Sequence, residues 1–168
     1  MGLFLSLFSC GPSVDKKTAN DYYFSIQTMS EKQDTSYKDF LITFKTLFTK
    51  ANESEGRRLD SADMIVLTNS YKTFMDKLEG DKKLLQNINE VDNEINLKYN
   101  VEKHILFVDS TLGNIMPKVF SYLKISLDSV DAGFQTEIEK FQATVAKEQD
   151  QRKKIDELSL KFRQKYPD

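Results

Sequence analysis

Residues 22–51 read Y-Y-F-S-I-Q-T-M-S-E-K-Q-D-T-S-Y-K-D-F-L-I-T-F-K-T-L-F-T-K-A, and the spacing of their apolar side chains decides the fold. Tyr22, Ile26, Met29, Tyr37, Phe40, Phe44, Leu47 and Ala51 recur at steps of three and four once Gln33 fills the gap after Met29. Such steps place side chains above one another along one face of an α-helix. Leu41 and Phe48 widen the stripe. The segment from Asp15 to Ala51 therefore predicts a first helix of about 36 residues, roughly 54 Å long at 1.5 Å per residue.

The pattern repeats toward the C-terminus. Asn52 to Arg58 is polar, contains Gly56, and reads as a turn. Asp60 is a suitable N-cap for a second helix, with Asp63 near its positive end and Leu59 and Met64 placed as a hydrophobic staple. Its stripe is Leu67, Tyr71, Phe74, Leu78, Leu85 and Ile88, with Asp81 taking the missing core step. Gly80 costs about 1 kcal/mol against Ala in a helix interior, which allows a break at Glu79–Asp81. Asn87 to Asn93 is rich in cap and turn formers. A third stripe runs Val101, Ile105, Val108, Leu112, Ile115, Val119 and Tyr122. The alternation of Ile95, Leu97, Tyr99 and Val101 is also a strand signal, but a lone strand has no partner, so helix is expected. Pro117 removes the bond to the carbonyl of Gly113, and a kink is expected there in place of a break. After a turn at Ser126 to Ser129, capped by Asp128 or Ser129, the last stripe is Phe134, Ile138, Phe141, Val145, Ile155, Leu158 and Phe162.

Long helices joined by short turns pack as antiparallel neighbours. The expected fold is all-α, an up-down-up-down antiparallel four-helix bundle with helices at about 15–51, 60–88, 93–125 and 129–165. The first and last helices each have a polar gap near mid-length, Glu31 to Ser36 and Lys147 to Lys154. Antiparallel pairing brings these gaps to one height. Gln33, Glu148 and Arg152 would then form a polar layer, with Asp109 of the third helix at similar depth. The ordinary reading is a device that fixes helix register, as buried polar residues do in coiled coils. The alternative is a binding site or a flexible waist. If the layer only sets register, Gln33→Leu with Arg152→Leu is expected to raise stability.

Composition narrows the function classes. The 168 residues carry 24 Lys+Arg against 26 Asp+Glu, with the two signs interspersed and a pI near 5.6, so a nucleic-acid binder is not expected. His104 is the only histidine, and Glu102 two residues before it faces another way, so the Glu-x-x-His pairs of di-iron bundles cannot form. No phosphate loop, G-x-S-x-G elbow, H-E-x-x-H or C-x-x-C-H occurs. His104 reads as a half-buried helix residue before a catalyst. Glu137/Glu139 and Glu53/Glu55 read as solvated acid pairs, and Arg152-Lys153-Lys154 as a solvated face first and a lipid head-group contact second. Neither catalytic residues nor a cofactor or metal site are expected.

Met1 to Gly11, M-G-L-F-L-S-L-F-S-C-G, is apolar and gives way at Cys10 to the polar run Gly11-Pro12-Ser13-Val14-Asp15-Lys16-Lys17. It is too short to span a bilayer, which takes about 20 residues, but suits the apolar region of a secretory signal. Leu7-Phe8-Ser9-Cys10 resembles a bacterial lipobox, in which the Cys receives diacylglycerol and becomes the mature N-terminus. Phe8 is bulkier than the pattern prefers. No Lys or Arg precedes Cys10, which is read as a start further upstream or a missing part of the signal. Two other readings stand beside it: Met1-Gly2-x-x-x-Ser6 as an N-myristoylation pattern with Cys10 palmitoylated, and an unmodified apolar N-terminus packed on the bundle.

With Cys10, a polar linker, an opening Ala19-Asn20-Asp21-Tyr22, a last helix containing Phe141 to Gln149, and the lysine-rich Lys161 to Tyr166, the chain resembles small α-helical lipoproteins of Gram-negative bacteria. That group has no assigned activity. The resemblance implies a membrane tether in the outer membrane or periplasm and no chemistry. The expected organisation is an apolar signal-like segment at 1–10 and one helical bundle over 11–168. The expected function is a lipid-anchored, non-catalytic interaction or structural module, with a protein partner using the Asn52–Arg58 loop or a groove beside the polar layer. The alternative is a carrier holding a small hydrophobic ligand between the helices.

Overall fold

The Asp15 side chain starts the first helix by accepting from the Thr18 backbone N–H at 3.0 Å, which satisfies one of the donors a helix leaves free at its N-terminus. From there α1 (Lys16–Glu53) runs unbroken for 38 residues. In the computed structural model, which describes residues 14–54, 58–125 and 132–167, it is followed by α2 (Ser61–Gln86), α3 (Leu97–Leu123) and α4 (Ala132–Lys165). The described residues contain no strand. The segment at 1–10 with Gly2 and Cys10, the Glu55–Arg57 part of the first turn, and the turn and cap at Ser126 to Ser129 lie outside the described residues.

Neighbouring helices are antiparallel, because their contacts pair early residues of one with late residues of the next. Between α1 and α2, Tyr37 meets Phe74 with ring centroids 5.2 Å apart, and Lys50 pairs with Asp63 at 2.5 Å. Between α2 and α3, Tyr71 lies edge-on to Phe120 at 5.3 Å, and Lys82 reaches Asp109 at 3.0 Å. Between α3 and α4, Tyr122 packs on Phe134 at 5.3 Å, and Lys118 reaches Glu137 at 3.5 Å. The ring closes between α4 and α1, where Phe162 meets Tyr22 at 5.1 Å and Phe141 meets Phe44 at 4.8 Å. The result is an up-down-up-down four-helix bundle.

The buried face of α1 is Ala19, Tyr22, Ile26, Met29, Gln33, Tyr37, Phe40, Phe44, Leu47 and Ala51, so Gln33 occupies the core step that its spacing assigned. The centre is aromatic: Phe40 and Phe74 stack nearly parallel at 6.0 Å, and both are fully buried. Each such ring buries a large apolar area, and Leu, Ile, Val and Met side chains fill the rest of the core.

α2 has no break at Glu79–Asp81. Asp81 is wholly buried, and a Cβ placed on the exposed Gly80 would meet nothing within 4 Å. α3 continues through Pro117. It begins at Leu97, later than the expected 93, for a local reason. The Asp92 carboxylate accepts from the Glu94 and Ile95 backbone N–H groups at 2.9 and 3.0 Å and holds them in a turn. Asn96 follows in the left-handed region at φ 53°, a conformation that Asn tolerates better than most residues.

Candidate functional site

The feature at mid-height that packing alone does not explain is a layer of polar side chains. α4 carries a core face of Glu137, Phe141, Thr144, Glu148 and Ile155, so its buried stripe continues through the polar gap. Glu148 is 1 % exposed. A mid-helix residue has no free backbone N–H nearby, since those are spent on the helix itself, so its charge must be met by side chains.

Arg152, one turn later on α4, donates through Nε to Glu148 Oε1 and reaches Asp34 of α1 at 3.3 Å through Nη1. Its guanidinium lies over the Tyr37 ring, 5.7 Å from the centroid. From α3, His104 Nε2 lies 3.7 Å from Glu148 Oε1, while Nδ1–H donates to Gln151 Oε1 at 3.1 Å. That contact sets Nε2 as the bare, accepting nitrogen of the neutral ring.

The electrostatics follow from depth. Burial, with the Arg152 charge beside it, pushes the His104 pKa down to about 4 against the weaker opposing pull of Gln151, so the ring is neutral near pH 7. Burial pushes the Glu148 carboxyl above the usual carboxylate range, although Arg152 pulls it the other way. Burial also raises the Tyr37 hydroxyl. Among these groups Gln33 Nε2, Tyr37 Oη and His104 Nε2 have no hydrogen-bond partner. A groove of about 430 Å³ on the α1/α4 seam reaches the layer past Asp34, Tyr37, Glu148 and Arg152.

Of the residues the sequence assigned to this layer, Gln33 and Glu148 are buried and Arg152 bridges the two helices. Asp109 is not part of it. It follows Val108 by one residue, which turns it about 100° from the core face, and it lies on the α2/α3 seam bonded to Lys82 at 3.0 Å. His104 takes its place: at 2 % exposed it is a fully buried member of the layer and not a half-buried residue. Its place was legible in the step of three from Val101 and of four to Val108. Glu137 is likewise buried at 7 % exposed, and Lys140 at 2.8 Å and Lys118 at 3.5 Å hold its carboxyl below the usual range. Its neighbour Glu139 is exposed and accepts from Gln135.

The arrangement of Arg152 changes the expectation for Gln33→Leu with Arg152→Leu. The guanidinium is the cation paired with a buried carboxylate, and its loss strands that charge. The layer holds charge and hydrogen bonds. Among the described residues, no group of three or more His, Cys, Asp or Glu side chains is placed to hold a metal ion. Comparison of the chain with protein-family models, with curated proteins and with solved structures finds no match in any of the three.

Proposed function

We propose that the protein is a non-catalytic interaction or structural module held at a membrane of the Gram-negative cell envelope by lipid on Cys10. The observation that carries this reading is the change at Cys10, where Leu7-Phe8-Ser9-Cys10 ends an apolar run and a polar linker begins. The linker leads within a few residues to Asp15, the cap of α1, so an anchored chain presents the bundle close to the bilayer. No helix among the described residues is long and apolar enough to cross a membrane. A protein partner would use the polar groove on the α1/α4 seam or the turn that joins α1 to α2.

Intact-mass measurement of the protein purified from its native membrane tests the anchor. The expected result is a mature chain beginning at Cys10 and carrying a diacylglyceryl mass, with Cys10→Ser abolishing it. A chain retaining Gly2 with a myristoyl mass, or an unmodified N-terminus, overturns the reading.

A further inference from the structure

Lys140, Lys147, Lys154 and Lys161 recur at every seventh residue of α4, and all are exposed. Seven residues fall about 20° short of two full turns, so these lysines form one row, about 32 Å from end to end. The row lies on the α3 side of the helix. Lys147 Nζ sits over the Phe107 ring of α3, 4.6 Å from its centroid, and Lys140 shares Glu137 with Lys118 of α3. The arginines of α4 turn the other way, Arg152 to Asp34 and Arg163 to Asn20 of α1. Lys103, exposed one turn before Phe107, extends the patch onto α3.

The fold thus sorts charges that alternate along the sequence. The α3/α4 face holds these six lysines against Glu137, Glu139, Asp150 and Glu157, in a chain of net charge −2. Pairing differs as well. Lys17, Lys38 and Lys72, on α1 and α2, each pair with an aspartate one turn away. Lys103, Lys147, Lys154 and Lys161 form no ion pair among the described residues, although Asp150 and Glu157 stand one turn before Lys154 and Lys161.

We propose that the α3/α4 face lies on a membrane surface rich in anionic phospholipid, with the lysine row in the headgroup layer. The row is straight and contains only lysine, a flexible point charge without the fork by which arginine reads a single carboxylate or phosphate. Lysine is depleted from protein interfaces, whereas on its apolar stem it reaches headgroups spread over a plane. The exposed Tyr99 and Leu106 flank Lys103 on α3 and give the same layer apolar bulk. Duplex nucleic acid would meet the lysines but offer those two side chains no apolar medium. The row ends beside Phe162, which packs on Tyr22, so it reaches the end of the bundle where α1 begins. The inference does not rest on the lipid anchor, which intact mass reads separately.

The test is co-sedimentation of the full-length protein with vesicles of phosphatidylglycerol or of phosphatidylcholine at low salt. Met1 to Cys10 carries no charged side chain, so that segment contributes little to a preference between them. Phosphatidylglycerol is expected to be favoured by at least about a hundredfold, at roughly fivefold for each lysine, and the preference should fall as salt rises. Lys140→Gln, Lys147→Gln, Lys154→Gln and Lys161→Gln together are expected to abolish it. Lys17→Gln, Lys45→Gln, Lys72→Gln and Lys83→Gln, all at exposed sites on α1 and α2, change the net charge equally and should keep it within about threefold. The chain has no Trp, so Tyr99→Trp supplies a single reporter. Its emission should move to the blue on phosphatidylglycerol vesicles and stay unmoved on duplex DNA, and that of Phe24→Trp, across the bundle on α1, should stay unmoved on both. No preference between the vesicles, equal loss in both lysine sets, or a blue shift at position 24 in place of 99 would overturn the proposal.

Discussion

Two carboxylates are buried in this bundle to a similar degree, and they are treated in opposite ways. Asp92, between α2 and α3, is 5 % exposed; Glu148, in the middle of α4, is 1 % exposed. Burial raises the pKa of both. At Asp92 that effect is overcome, because Lys165 at 2.7 Å, the Ile95 and Glu94 backbone N–H groups and the Tyr166 hydroxyl at 3.0 Å all reach it, and its pKa falls to about 2. At Glu148 burial prevails and the carboxyl is pushed up. The difference lies in the local backbone. A turn has free N–H groups to offer, and an unbroken helix has none. The Asp92 cluster also ties the chain ends of three helices, since Tyr22 of α1 donates to Glu90 and accepts from the Lys98 N–H at 2.9 Å. One cluster is a clasp with its donors matched; the other is a compromise held by one arginine.

If that contrast is right, the largest effect comes from taking the arginine away. Arg152→Leu alone leaves Glu148 charged and buried, and a stability loss of about 3 kcal/mol is expected by urea denaturation at pH 7. The loss should shrink near pH 5, where Glu148, with its raised pKa, takes a proton more readily. A loss independent of pH would show that Glu148 is solvated and the contrast false. Asp92→Ala comes next. It removes the acceptor of two backbone N–H groups and the partner of Lys165, and about 2 kcal/mol should be lost. Lys165 is itself nearly half exposed and can return to water, which keeps the cost below that of Arg152→Leu.

A further effect separates the clusters by pH. In the unfolded chain His104 titrates near 6.5, and in the bundle near 4. Between those values the unfolded state takes a proton that the folded state refuses, so the His104 contribution is fully present above pH 6.5 and is lost as pH falls toward 4. Glu148 runs the other way, because its folded pKa is raised: its contribution is lost as pH rises through that value. Measuring wild type against His104→Gln isolates the histidine. Their difference in unfolding free energy should fall by about 3 kcal/mol from pH 7 to pH 4. The Asp92 contribution is present above about pH 4 and is lost only as pH falls toward 2, so Asp92→Asn should leave the pH 7 to 4 slope unchanged.

The residues show why some of this was legible in the sequence and some was not. The α1 stripe could be read from spacing, Gln33 included, because one uninterrupted helix turns each residue by a fixed angle. Asp60 could be read as a cap, and its side chain does accept from the Asp63 N–H at 2.8 Å. Depth along the bundle was legible too: Arg152 bridges Glu148 to Asp34, the neighbour of Gln33. Depth alone does not select a residue: rotation about the helix axis turns Asp109 to Lys82 on the α2/α3 seam and His104 into the layer. The start of α3 was hidden because it depends on where the Asp92 side chain turns, and residue type alone does not fix that. Glu137 looked solvated because a charged residue on an apolar stripe is easily passed over. The clasp at Asp92 gathers residues far apart in the chain, from Tyr22 to Tyr166, and no local pattern announces it.

The smallest effect is the most discriminating, because its sign differs between the two clusters. Replacing both members of the waist pair, Glu148→Leu with Arg152→Leu, strands few groups. Asp34 keeps Lys38 at 2.5 Å, and His104 Nε2 made no hydrogen bond to Glu148 in the first place. Buried ion pairs replaced by apolar side chains are often neutral or stabilising, and a gain of about 1 kcal/mol is expected. The same treatment at the clasp, Asp92→Leu with Lys165→Leu, deprives the Glu94 and Ile95 N–H groups and the Tyr166 hydroxyl of their acceptor, and stability should fall. Urea midpoints of the two double variants give the comparison directly. A gain at both sites, or a loss at both, would mean that backbone donors are not what separates them.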